Sequence, residues 1–584
     1  MSFPQARPAS SKGSTLAPPP ADDSIDDEKR AAIFTSKGSV DGGDEKADTL
    51  RTATHATSHG DPIYGSRSGN GSGRGSGDRT AATAAAATTH NLWSPSHIAA
   101  LDAHELAYWR TRVSPGHPSF LVGWSEPADA ERPSDWRRDT KLLVAGAAQG
   151  MAFAAAFASS VFSPAQPALA AEFGTSATAA GCAVALWIAG AAGGAVLFRD
   201  LLRRYGSRGP LAFAFFGLAV WSIPAALARD IQSLLVFRFF AGASAAGVWV
   251  VTPFVCSQLF EKSAAARRVA MSAVAACAAL GVVVAPVAGA YIVHQGTATA
   301  SYSNTHAPFS SLSSWRWVGW TTVIMGACCF GAAAFAVPEV SSNVLLERKA
   351  RRLRLVLEIY SLHAESETPA GRLEKQLDYA WLGKQPVVSV VMVSSALVYG
   401  MLYLVVQGLP LAFQRRDWPA KTACLPLLAV ALGLATSYGV FAVFTVARSK
   451  RRLWREKPED HLALWIVGAL ILPPAFLWFG WSANTHWASQ VAASVFVGLG
   501  LGLVFVSETA YLADAYGSCK AYVALLEVAV CGLVATSFPL WTGIVFEKLG
   551  VQWANTVVAL ICAVVIVPVP VVLSFYSFGA RSWK

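Results

Sequence analysis

Residues 142–162 read LLVAGAAQGMAFAAAFASSVF, twenty-one positions without a single charge. As an α-helix rising 1.5 Å per residue, the stretch is about 31 Å long, the thickness of a bilayer's hydrocarbon core. Eleven more apolar runs of similar length follow it, near Thr178–Phe198, Gly209–Ala228, Ile231–Val255, Val269–His294 and Val318–Val337, then Val387–Phe413, Thr422–Val446, Leu462–Trp481, Ala488–Leu512, Tyr522–Phe546 and Trp553–Phe575. Only 14% of the 584 residues are charged and 53% are hydrophobic, where soluble domains carry roughly a quarter charged residues. The chain therefore reads as an all-α polytopic membrane protein, and a soluble enzyme is excluded.

The twelve runs divide the chain. Residues 1–139 hold a Gly/Ser/Arg-rich stretch (65–78) and an Ala/Thr tract (81–89). Neither can bury enough apolar area to order itself, so this part is expected to be a disordered cytosolic tail. Met1 to Phe3 opens no apolar signal segment, so no cleavable leader is expected. Asn70-Gly-Ser72 matches a glycosylation sequon, without consequence for a cytosolic tail. Residues 140–337 and 387–584 form six spans each. The polar connector 338–386 carries Arg348, Lys349, Arg351, Arg352 and Arg354 on an expected amphipathic helix at the membrane surface.

A net charge of +10 would suit a polyanionic ligand, yet the cations cluster in alternate short loops. Arg199, Arg203, Arg204 and Arg208 lie in one; Lys262, Arg267 and Arg268 in the next; then come the connector and the run Arg448 to Lys457. That is positive-inside patterning, so no nucleic-acid partner is expected. The even span count places both termini in the cytosol. Arg415, Arg416 and Lys421 depart from the pattern. The nine cysteines show no paired spacing and read as small apolar core residues, with neither a disulfide framework nor a metal site.

Several short motifs, in order, carry a resemblance. They are Trp124-Ser-Glu-Pro with Pro133-Ser-Asp-Trp136, Pro167 to Gly174, Arg238-Phe-Phe-Ala-Gly242, Gly281-Val-Val-Val-Ala-Pro286-Val-Ala-Gly289, Trp315-Arg-Trp317, Val337-Pro-Glu339, Leu345 to Arg354 and Tyr511-Leu-Ala-Asp514-Ala-Tyr516. From Trp124 onward the chain resembles the major facilitator superfamily, and within it the fungal twelve-span drug:proton antiporter branch. The resemblance implies two six-helix bundles, export driven by a proton gradient without a bound cofactor, and a plasma-membrane location. The departures are specific. Arg204, Gly206 and Arg208 fit the loop motif after the second span, but Arg203 stands where the family has Asp; Asp200, one turn away, is the candidate substitute. Ala285 and Ala290 replace two antiporter-motif glycines, and Glu527 and Cys531 stand where the branch shows Asn and Arg.

Ionisable groups inside spans cost about 2.5–3.5 kcal/mol at the helix centre, which makes each a functional candidate. Arg238 lies some seven residues, about 10 Å, into the fourth span. It either lines a cavity and binds an anionic group, or bonds backbone carbonyls of a neighbouring span. Glu527 and Glu508, near the inner ends of the eleventh and tenth spans, are the proton-carrier candidates; a carboxyl withdrawn from water suits that task. Gln149 adds a polar group to the first span. Tyr399, Tyr403 and Gln407 fall four apart on one face of the seventh, as cavity lining or as ordinary packing. Gly281, Pro286 and Gly289 permit close helix approach and a bend. The basic loops around Arg199–Arg208 and Arg448–Lys457 are expected to form charge contacts at an inner gate, or to serve only as anchors.

Phosphate-binding loops, zinc spacings and nucleophile–base pairs are not evident, so a proton gradient is the expected energy source and no enzyme activity is expected. The reading is a proton-coupled exporter of a small organic compound (a secreted secondary metabolite, a xenobiotic or a polyamine), working by alternating access between two bundles. Its partners are the bilayer, protons and the cargo. An importer of the same fold and a non-transporting nutrient sensor are the alternatives.

Overall fold

A computed structural model describes residues 121–125, 129–302, 314–367, 386–450, 458–515 and 520–582, all within one compact unit, Asp78–Lys584. The spanning helices are α1 Arg138–Ser160, α2 Ala177–Tyr205, α3 Arg208–Ala226, α4 Ile231–Leu259, α5 Ala264–Tyr302, α6 Ser314–Gly331, α7 Pro386–Gln414, α8 Leu427–Lys450, α9 Leu462–Trp481 and α10 Trp487–Ala515. The last apolar stretch, Leu525–Phe575, is 51 residues long. At 1.5 Å per residue it would measure about 76 Å, more than twice a bilayer core. Gly550 resolves the excess: at φ 75° and ψ 170° it interrupts the helix. This glycine separates α11 (520–549) from α12 (551–582), giving twelve spans as the hydropathy predicts.

Local chemistry sets the helix ends. The Ser176 hydroxyl accepts from the Ala179 amide, and the Asp230 carboxylate from the Ser233 amide, capping α2 and α4. Gly174, at φ 61°, closes the short helix Gln166–Phe173 between α1 and α2.

The two halves pack alike. In the first, a Cβ on Gly190, Gly194 or Gly242 would fall 2.0–2.1 Å from a backbone oxygen across the α2–α4 contact. In the second, Gly433 and Gly498 stand in the same relation across α8 and α10, at 2.1–2.2 Å. A Cβ on Gly281 or Gly289 of α5 would fall 2.4 Å from the carbonyl oxygens of Phe153 in α1 and Val161 at its end. The equivalent pair in the second half, α7 and α11, meets where Gly400 and Gly408 receive the rings of Phe538 and Phe546. Each half's last span carries a π-helical turn, which ends α6 at Ala332–Ala336 and interrupts α12 at Cys562–Ile566. In lipid no hydrophobic force drives helices together, so such backbone-to-backbone packing is what associates them. Gly242→Ala is therefore expected to abolish recovery of folded protein, because its methyl would meet the Trp187 carbonyl oxygen at 2.0 Å and overpacking of this kind costs about 1–3 kcal/mol or more. Gly193→Ala, which faces open space, should be neutral; size-exclusion profiles of the two variants compare them directly.

The basic end, where the cation-bearing loops lie, departs from the sequence reading in two ways. Residues 121–125 and 129–139 are ordered rather than part of a disordered tail; residues 1–120 and 126–128 lie outside the described residues. Strand β1, Leu121–Val122, pairs in parallel with β2, His363–Ala364, beyond the connector helix Ser342–Leu357. That helix forms as expected, and its inner face is covered by protein. Val122, Ala350, Leu353, Leu362 and Ala364 make a small core. Lys349, expected to be solvated, is fully buried, with Nζ 2.5 Å from Asp129 Oδ2, 3.2 Å from Ser125 Oγ and 5.9 Å from the Trp124 ring centre. The side chain of Arg352 reaches Glu131, while Arg348 and Arg351 stay exposed. A lysine is buried only beside a carboxylate, and this one comes from 220 residues upstream.

Arg132–Glu261 at 3.2 Å and Lys262–Asp135 tie the same segment to the α4–α5 loop. Burial pushes the Asp135 carboxyl up, but Lys262 and the Asp129 amide outweigh it and hold the group below its usual range. This tie is thus complete above the ordinary carboxylate pKa and is lost only as pH falls through the lowered value. Lys349→Ala strands a buried carboxylate and should cost about 3–5 kcal/mol of stability. The double change Lys349→Met, Asp129→Asn, which keeps an acceptor near the Ser125 and Glu131 amides, should recover part of that loss in thermal unfolding.

Candidate functional site

One cavity, with about 960 Å³ of space free of protein atoms including its open mouth, lies between the two halves. Helical spacing brings its wall together. Trp187 and Ala191 of α2, Trp249 and Pro253 of α4, Phe505, Thr509 and Ala513 of α10, and Glu527 and Cys531 of α11 each recur at four-residue intervals on one helix face. Tyr399 enters from α7, its ring stacked on Phe505 with centroids 5.9 Å apart. The surface is aliphatic and aromatic apart from the Tyr399 hydroxyl, the Cys531 thiol and the spot where Glu527 meets Thr509.

That spot holds a hydrogen bond in either charge state of the carboxyl. The Thr509 hydroxyl lies 3.2 Å from Glu527 Oε1 and 2.9 Å from the Phe505 carbonyl. Ionised, Glu527 accepts from Thr509; protonated, it can donate to the same hydroxyl, whose own hydrogen then turns to Phe505. Glu508 differs. It is fully buried, lies outside this cavity, and takes a hydroxyl hydrogen on each oxygen, from Ser394 at 2.5 Å and Ser395 at 2.8 Å. Two donors fill the carboxylate, whereas a proton there would oblige one of the serines to turn its hydrogen away.

The structure separates the other sequence candidates. Arg238, 2% exposed, does not line the cavity. Its guanidinium donates to the carbonyls of Ala183, Ala158 and Ser159 at 2.9–3.0 Å and sits 4.4 Å above the Phe162 ring. Of the two readings open from the sequence, this geometry is the backbone-bonded one, and it clamps α1, α2 and α4. The Tyr403 hydroxyl lies 2.8 Å from Ser159 Oγ and 3.4 Å from the Tyr399 hydroxyl. A polar string therefore runs from the cavity to the Arg238 clamp and joins the halves at the end opposite the basic loops. Gln149 donates to the Ala270 carbonyl at 3.4 Å, away from the cavity. Gln407 also lies outside it, its amide nitrogen without a partner. Gly281, Pro286 and Gly289 belong to the α1–α5 contact.

At the basic end, Gly206 takes φ 83°, which turns the Ser207 amide and hydroxyl and the Arg208 amide onto the Glu339 carboxylate. Glu339 thus receives the turn, whereas Asp200 pairs with its neighbour Arg199 and is no substitute. Arg208 also bonds the Ala334 carbonyl; Arg204 is exposed. Among the described residues, the charges that meet between the halves at this end gather on a carboxylate. Asp514, one residue beyond the cavity wall, lies 2.5 Å from Arg268 Nε, 4.0 Å from Arg267 and 3.0 Å from His461 Nε2. Loops of like charge repel, and a carboxylate is what joins α5 to α10 here. Residues 451–457 of the second loop lie outside the described residues. The wall residues Trp187, Trp249, Phe505 and Thr509 were not singled out in the sequence, since aromatic and hydroxyl side chains on apolar helices read as packing; the four-residue spacing was their only signal.

Comparison with known proteins agrees with this architecture. The family model described as Major Facilitator Superfamily matches residues 150–518. The chain is 31% identical over 475 residues to the "Ascochitine biosynthesis cluster MFS transporter" of Didymella fabae, covering 79% of this chain and 88% of that one. It is 28% identical over 476 residues to the "MFS-type transporter traF" of Penicillium crustosum, with 79% and 92% covered. It is 29% identical over 481 residues to the "Citrinin biosynthesis cluster MFS transporter mrr1" of Monascus ruber, with 79% and 91% covered. Among solved structures, the proton:xylose symporter XylE bound to 6-bromo-6-deoxy-D-glucose superposes with a TM-score of 0.55 at 15% identity, over 74% of this chain and 95% of that one. The human organic anion transporter MFSD10 gives 0.51 at 16%, over 74% and 99%. These two likenesses are of fold. With the family model matching more than half of its length, the chain belongs to the major facilitator superfamily and is a multi-pass membrane transporter.

Proposed function

We propose that this transporter exports a small, largely apolar organic compound across the plasma membrane, driven by protons entering through Glu527. The observation that carries the reading is the cavity itself: aromatic walls from both halves around one carboxyl that keeps its hydrogen bond whether or not it holds a proton. Of the cargo classes open from the sequence, a secreted secondary metabolite suits this chemistry best. A polyamine would present several charges to a wall with one carboxylate, and each unpaired charge would be costly to desolvate. A xenobiotic of similar shape would fit the same walls. Export is favoured because relatives carry the names of ascochitine and citrinin biosynthesis clusters, and a cell that makes such compounds must move them out. Both termini then lie in the cytosol, on the side of the basic loops.

Untargeted mass spectrometry of cells and medium, with and without the gene, tests this. A compound lost from the medium and retained in the cells supports export and identifies the cargo, which reconstituted vesicles with an imposed pH gradient should then carry. Accumulation outside when the gene is absent would mean uptake, and the proposal would fall.

A further inference from the structure

A second cavity, of about 440 Å³, opens at the basic end and shares no wall residue with the first. Arg268 of α5 contributes from the first half. Thr445, Arg448 and Ser449 of α8, and Asp460 and His461 before α9, contribute from the second. Three cation-capable side chains therefore converge on one space. Two carboxylates pair with them: Asp514 takes Arg268 and His461, and Asp460 takes Arg448 Nη2 at 2.7 Å.

Two donors in the wall remain unspent. Arg448 Nε is buried without an acceptor, and so is the hydroxyl of Thr445, a residue only 5% exposed. The Thr445 case is informative within this chain. Thr252, Thr436, Thr509, Thr536, Thr542 and Thr556 all bond the carbonyl four residues back, at 2.6–2.9 Å. Thr445 sits on a helix like theirs and does not. A buried donor left unpaired carries a desolvation penalty that a bound acceptor would remove. The guanidinium of Arg448 is held over the Phe444 ring at 5.7 Å, and a planar fork so placed matches a tetrahedral oxyanion.

We propose that this cavity binds a phosphate-bearing anion, taken between Arg448, Thr445 and the Arg268 side of the gate. Such an anion touches α5 and α8 together, so it binds best when the halves meet at the basic end and it stabilises that conformation. The phosphate belongs either to an anionic lipid headgroup, for which basic pockets between helices at this membrane face are suited, or to a soluble phosphate.

The test uses the full-length protein. One arm titrates it with inorganic phosphate. The other places it in phosphatidylcholine nanodiscs with and without a phosphatidylinositol phosphate. Spin-label distances between α5 and α8 report the closed fraction in both arms. Binding in the nanodisc arm assigns a lipid headgroup, and binding in the phosphate arm a soluble ion; either supports the site. Thr445→Val should weaken binding by about tenfold, the loss expected for one hydrogen bond to a charged group. Asp460→Asn removes the competing carboxylate from Arg448 and should tighten binding, a gain that misfolding cannot imitate. If neither arm shows binding, or if both variants bind as the wild type does, the site does not exist.

Discussion

Glu527→Gln is expected to leave the protein folded and able to hold cargo but to abolish uphill transport. The amide keeps the size of the side chain and still accepts from Thr509, which lies 3.2 Å away, so the cavity wall is preserved. What it cannot do is release a proton on one side and take one up on the other. A proton falling through 100 mV supplies about 2.3 kcal/mol, which sustains a concentration ratio of about fifty-fold. In vesicles with an imposed gradient the variant should lose that accumulation, while exchange of labelled for unlabelled cargo continues. Glu508→Gln should behave otherwise. Ser394 and Ser395 each point a hydrogen at its carboxylate; the amide NH₂ would donate to one of them, leaving a single acceptor oxygen for the two serine hydrogens. Loss of stability, with coupling retained in the surviving protein, is the expected result. Full uphill transport by Glu527→Gln would remove the proton role assigned to it.

The sequence made the twelve spans visible because a bilayer demands runs of fixed length, and every run found a helix. It did not make tertiary partners visible. Lys349 read as one of five surface cations, since nothing in the heptad around it names Asp129, 220 positions away. The basic loops read either as gate partners or as plain anchors, because they were the conspicuous charges; the bond across this end needs a carboxylate, and Asp514 stood unremarked inside a family motif. Arg238 was correctly placed within a span, but depth along a helix does not tell a cavity wall from a carbonyl cluster. Tyr399 and Tyr403 share a face, and one turn of helix divides their surroundings: the first lines the cavity, the second bonds Ser159. The carboxyls Glu508 and Glu527 looked alike in sequence. Their neighbours, two serines against one threonine, distinguish them.

Asp514→Asn should shift the transporter toward the state open at the basic end. Asp514 is the carboxylate that Arg268, Arg267 and His461 share, and it lies beside Ala513 of the cavity wall. Breaking a buried pair costs about 3–5 kcal/mol, or two to three and a half powers of ten in a two-state ratio. At the opposite end the tie is a neutral hydrogen bond, Ser159 to Tyr403 at 2.8 Å, worth about 1 kcal/mol. The ionic end is thus the one whose loss moves the equilibrium. Cysteines placed across α5 and α10 should cross-link readily in the wild type and poorly in Asp514→Asn. Arg268→Gln should shift the balance in the same direction but less, because Arg267 is 4.0 Å from the same carboxylate. The double variant decides whether the pair acts as a unit: it should open no further than Asp514→Asn alone, since the second change removes a partner already lost. Additive shifts would mean that the two residues act on the gate separately and that the Arg268–Asp514 bond does not hold it closed.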